Sequence, residues 1–70
     1  MGVSYKNLMK LLIDREISKT ELRHKIGIGT ATLAKLSSNE YVSLEVIDKI
    51  CTILQVQPND IMEIIYDDLK

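Results

Sequence analysis

Ser18-Lys-Thr-Glu-Leu-Arg-His-Lys-Ile-Gly-Ile-Gly-Thr-Ala-Thr-Leu-Ala-Lys-Leu36 decides the fold of this chain. Ser18 followed three residues later by Glu21 is a capping box, in which each residue satisfies a backbone donor of the other. Leu22 and Ile26, spaced i and i+4, give the helix that follows an apolar face. Gly27 ends it, because the position after a last helical turn favours a left-handed backbone that glycine reaches at little steric cost. Only Ile28 and Gly29 remain before a second helical run opens at Thr30. So short a connection forces the two helices to cross steeply. That is the geometry of a helix-turn-helix, whose second helix enters the major groove of DNA.

Outward from this stretch, an apolar residue, a cap and a second apolar residue recur as a hydrophobic staple. The pairs are Val3 with Leu8 around Ser4, Ile17 with Leu22 around Ser18, and Ile28 with Leu33 around Gly29. Val42 with Ile47 around Ser43 and Val56 with Ile61 around Gln57 complete the set, with Pro58 suited to a first helical position. Five helices are therefore expected, at about 5–15, 19–26, 30–37, 44–54 and 58–65, in one all-α domain covering residues 1–70. Helix 1 should bury Tyr5, Leu8, Met9 and Leu12, with Leu11 and Ile13 widening the stripe. Helix 4 carries two apolar rows: Leu44, Ile47, Cys51 and Leu54, and Val46, Ile50 and Ile53. A helix so apolar is central to the core or shared with a partner.

At 70 residues and 46% apolar content, the chain has a small core built of Leu, Ile and Val. No apolar run approaches the roughly 18 residues of a membrane span, and no signal peptide opens the chain. One cysteine, Cys51, excludes an internal disulfide framework and a cysteine-rich zinc site. A reduced, cytoplasmic protein is the simplest expectation. His24 is the sole histidine and has no second ligand or acid at a metal or triad spacing, so neither enzyme nor metal site is expected. Cys51 reads as a small core residue, because a redox sensor needs an exposed basic neighbourhood and Glu45 and Asp48 stand nearby instead. The pair Asp67-Asp68 reads as a solvated tail. No cofactor or small-molecule ligand is implied.

The net charge of −1 conceals an asymmetry. Residues 1–35 hold seven Lys and Arg against three Asp and Glu, a net +4; residues 36–70 hold two against seven, a net −5. The basic half contains the helix-turn-helix, which points to a polyanion partner. On the second helix, Leu33 and Leu36 face the core and leave Thr30, Ala31, Thr32 and Lys35. Thr and Ala methyl groups match the thymine methyl, and Lys reaches guanine O6 and N7. Gly29 allows close approach of a phosphate to the helix N-terminus. The loop Ser37–Tyr41 offers hydroxyl, amide and phenol donors, which serve either phosphate contact or the turn itself.

In sequence the chain resembles the phage-repressor-like (XRE-like, Cro-type) helix-turn-helix regulators. The matching residues are Ser18, Leu22, Gly27-Ile28-Gly29, and Leu33 with Leu36. Val42-Ser43-Leu44-Glu45-Val46-Ile47, Cys51 and Pro58-Asn59-Asp60-Ile61 are similar to the small stand-alone members, so the likeness runs from Ser4 to about Ile65. The resemblance implies a compact five-helix, lambda-repressor-like DNA-binding domain with helix 3 as recognition helix. It implies base contacts at Thr30, Ala31 and Lys35, and phosphate contacts at Lys19, Thr32, Ser38 and Asn39, beside Gly29. Three positions depart from the pattern: Lys19 where many relatives have Gln, Arg23 where many have Ala, and Gly29 where many have Ser or Thr. The implied function is sequence-specific transcriptional regulation on double-stranded DNA, as a homodimer. Helix 4's second row or Ile64 and Ile65 are the candidate dimer surface. A protein-interaction or antitoxin-like module on the same fold is the alternative.

Overall fold

A computed structural model describes residues 2–66. Its elements are a short strand β1 (Gly2–Ser4), four helices α1 (Lys6–Asp14), α2 (Lys19–Ile26), α3 (Thr30–Ser37) and α4 (Leu44–Leu54), a 3-10 turn (Pro58–Asp60) and a strand β2 (Glu63–Ile65). The four helices lie within a residue of their expected bounds. Asp67 and Asp68 fall outside the described residues.

The expected fifth helix is absent from the described residues. Pro58 does start a turn, but it lasts three residues, and Glu63-Ile64-Ile65 runs extended. Two adjacent β-branched residues favour the strand. Their partner is β1, in antiparallel register Gly2↔Ile65, Val3↔Ile64 and Ser4↔Glu63. A spaced apolar run such as Ile61, Met62, Ile64 and Ile65 fits either state by periodicity alone.

The pairing of β1 also corrects the expected start of α1. Val3 is a buried strand residue rather than a staple, and Tyr5, not Ser4, stands at the N-cap without a side-chain cap bond. The first-turn donors are satisfied otherwise: Ser4 Oγ accepts from the Lys6 amide at 3.3 Å, and the Ile61 carbonyl accepts from the Leu8 amide at 3.2 Å. The segment after α4 thus caps α1. At the other end, the Arg15 guanidinium donates to the Leu54 carbonyl and closes the C-terminus of α4. Likewise Asp60, not the Gln57 side chain, closes the 3-10 turn, accepting from the Gln57 amide at 2.9 Å.

The core joins Val3, Tyr5, Leu8 and Leu12 to Leu22, Ile26, Ile28 and Leu36, with Ile47, Ile50, Leu54 and Ile61 beneath. Two expected core residues are outside it. Ile13 is 75% exposed at the end of α1, and Leu44 is 79% exposed at the start of α4. Helix 4's second row is core rather than dimer surface for the most part: Ile50 is fully buried and Val46 packs against the core, leaving Ile53 exposed.

Candidate nucleic-acid interface

The α2–turn–α3 unit forms as its local chemistry dictates. Ser18 Oγ accepts from the Glu21 amide at 3.0 Å, and Glu21 Oε1 accepts from the Ser18 amide at 3.0 Å. Gly27 adopts φ 71°, and the Arg23 carbonyl accepts from the amides of both Gly27 and Ile28. This closes α2 and directs Ile28 into the core, where it is buried. The turn is thereby anchored between the two helices it joins. Arg23, one of the departures from the family pattern, is half-buried and lies 3.4 Å from the His24 ring through its guanidinium. It stands on α2 outside the core.

Helix α3 divides into two arcs. With about 100° per residue, Thr30, Ala34, Ala31 and Lys35 fall within roughly 140° of each other, and all four are exposed. Leu36 on the far side is buried and Leu33 is half-buried. Thr32 flanks the exposed arc and is half-buried. Ala34 is a member of the outward face that the residue types did not single out. Its signal was its helical angle, one turn after Thr30. Gly29 caps α3 with extended backbone and no side-chain bond, so the first amides of the helix are left without a capping side chain. A Cβ at Gly29 would meet no atom within 4 Å, so this face is open.

The flanking candidates sit at the ends of this unit. Lys19 is exposed on the first turn of α2. Among the described residues neither Lys19 nor Lys35 forms an ion pair; Lys6 with Glu63, at 4.0 Å, does. Ser38 is exposed and its amide closes the C-terminus of α3 on the Ala34 carbonyl. Asn39 is exposed with a left-handed backbone, φ 57°. Its Oδ1 accepts from the Tyr5 amide at 2.9 Å, and the Tyr5 hydroxyl donates to the Glu40 carbonyl at 2.8 Å. One half of the Asn39 amide therefore fixes the loop, leaving its NH2 group as the donor available outside. Burial pushes the Tyr5 phenol above its ordinary range, so it stays protonated as a donor. Tyr41, the phenol at the end of this loop, is 69% exposed.

Away from this face, Cys51 is half-buried; burial, then the carboxylates of Asp48 and Asp60, raise its thiol. That is the environment of an inert thiol, as its place in the apolar row of α4 suggested. No helix of the described residues is long and apolar enough to cross a membrane.

Residues 7–67 match the family described as Cro/C1-type HTH DNA-binding domain. A curated relative, the uncharacterized HTH-type transcriptional regulator YozG of Bacillus subtilis (strain 168), is 36% identical over 59 residues, covering 81% of this chain and 70% of the relative. Among solved structures, the transcriptional regulator VanUg (Form II) aligns with a TM-score of 0.87 at 50% identity, over 89% of this chain and 83% of that one.

Proposed function

This chain belongs to the Cro/C1-type helix-turn-helix DNA-binding family and is a DNA-binding transcriptional regulator, and on that premise we propose how it reads its site. The observation that supports the reading is the exposed arc of α3, opposite its buried leucines. Thr30, Ala31 and Lys35 contact base edges, with Ala34 short enough to let the helix sit deep. The methyl groups meet thymine, and the Lys35 ammonium meets guanine O6 and N7. Gly29 and the uncapped first amides of α3, together with Lys19, Thr32, Ser38 and the free NH2 of Asn39, hold the phosphates on either side.

The same reading takes the protein to act as a homodimer, without cofactor or catalysis. One recognition helix of eight residues spans too few base pairs to specify a site. Two related by a two-fold axis read successive major grooves, about 34 Å apart.

The test is a fluorescence-anisotropy titration of a labelled duplex at several salt concentrations. Lys19→Ala is expected to lower the slope of log affinity against log salt by about one unit, whatever the sequence of the duplex. Lys35→Ala should do the same on mixed-sequence DNA and, on a selected operator, weaken binding by a further ~1–3 kcal/mol at one base pair. Folded variants that keep the wild-type slope and operator preference would move the contact surface off these residues.

A further inference from the structure

Helix α4, the longest of the four, carries an open groove along one side. Leu44, Ile47 and Cys51 recur on it at helical spacing, and they line a groove of about 630 Å³ together with Val56 and Pro58. Leu44 is the most exposed large apolar side chain among the described residues, at 79%. Ile47 is buried and Cys51 half-buried, so the groove has an apolar floor with one apolar side chain standing in solvent at its end. Gln55, just past the last turn, lines it too, so it follows the whole of α4, about 16 Å.

The groove is also anionic. Asp48 lines it, and the charge of Asp60 reaches it, acting with Asp48 on the Cys51 thiol. Glu45 is exposed about one turn before Asp48. The Thr52 hydroxyl donates to Asp48 Oδ1 at 3.3 Å, but among the described residues neither Asp48 nor Glu45 forms an ion pair. No Lys, Arg or His lines the groove. Lys25 and Lys49 line a separate cleft, beyond the ridge of Asp48 and Thr52 that borders both.

We propose that this groove docks a cationic amphipathic helix of another protein. The apolar face of that helix covers Leu44, Cys51 and Val56, and its lysines or arginines meet Asp48 and Glu45. Apolar side chains repeated over three turns match the i, i+4 and i+7 anchors of a helix laid in a groove. The carboxylates on its rim attract cations and reject an acidic helix. A second copy of this chain is the poorer occupant. Two such grooves face to face bring carboxylates together, and the cationic helices α1 and α2 expose Ile13 as their one large apolar side chain. Docking here is independent of the base and phosphate contacts above, since none of those residues lines the groove. A three-turn contact is small for a protein interface, so the association is weak and transient.

The test is an NMR titration of the isotope-labelled full chain, without DNA. The probe is a synthetic helix of about fourteen residues, with leucine on one face and lysine on the other. Saturable shifts are expected at residues 44–58, with α3 unmoved. The same peptide with glutamate for every lysine, or with serine for every leucine, should bind at least about tenfold more weakly. Leu44→Ser and Asp48→Lys alter exposed side chains, with circular dichroism confirming the fold, and each should weaken the lysine peptide at least about tenfold. The peptide comparison itself needs no substitution. Absent binding, shifts spread over the whole acidic surface, a serine peptide that binds equally well, or folded variants that bind like wild type would each overturn the proposal. So would sedimentation showing a dimer of the free chain that either variant dissociates, because the groove then belongs to a second copy.

Discussion

The helix-turn-helix and the paired chain-end strands are held by different kinds of interaction. In the first, each boundary is set by residues a few positions away: Ser18 with Glu21, Gly27 with Arg23. In the second, each boundary is set by residues far along the chain: Leu8 with Ile61, Tyr5 with Asn39, Val3 with Ile64. A region bounded by local signals keeps its helix boundaries so long as its apolar face stays packed on the core. A region built from distant partners loses its form when any one of them is removed.

The largest expected effect lies on the distant side. Ile61 is fully buried, and its carbonyl caps α1. Ile61→Ala should cost ~2–5 kcal/mol in urea unfolding. Because the sheet and the α1 N-terminus share this anchor, amide exchange should rise first at residues 2–8 and 61–66, with α2 and α3 retaining protection. Uniform loss of protection would show that the two regions unfold as one and break the distinction drawn here.

A smaller contrast compares two serines that look alike in sequence. Ser18→Ala should cost about 1 kcal/mol, because it leaves the Glu21 amide without its cap. Ser4→Ala should cost at most a few tenths of that, since Ser4 is a strand residue with an exposed 3.3 Å bond to Lys6. Equal losses in paired thermal melts would restore Ser4 as a helix cap.

An effect about as large as that at Ser18 sharpens the comparison at the contact between the two regions. Tyr5→Phe removes the bond to the Glu40 carbonyl and should cost on the order of 1 kcal/mol at neutral pH. The sign with pH follows from the raised phenol. The unfolded chain ionises this group at lower pH than the folded one does, so its contribution is complete below the ordinary tyrosine range. It is lost as pH rises through the higher folded value. The stability of wild type should fall more steeply than that of Tyr5→Phe in that alkaline window, and parallel curves would show that Tyr5 does not titrate in the fold.

The same distinction explains what could be read without coordinates. The four helices, the cap at Ser18, the left-handed Gly27 and the outward set Thr30, Ala31 and Lys35 are short-range consequences of residue type and spacing. The fifth helix fails because the choice between helix and strand at Glu63–Ile65 depends on β1, about sixty residues earlier. Val3 reads as a staple for the same reason: its partner is Ile64, and no local pattern near Val3 names it. Ala34 and the fixing of Asn39 by Tyr5 needed, respectively, a helical angle and a long-range bond.

Tyr5 also couples the strand pair to the reading helix. It follows β1 directly, and its amide and hydroxyl both bind the loop that closes α3. No pliable linker separates the strand pair from the reading helix. The strand pair and the reading helix are consequently held in one position relative to each other within a copy.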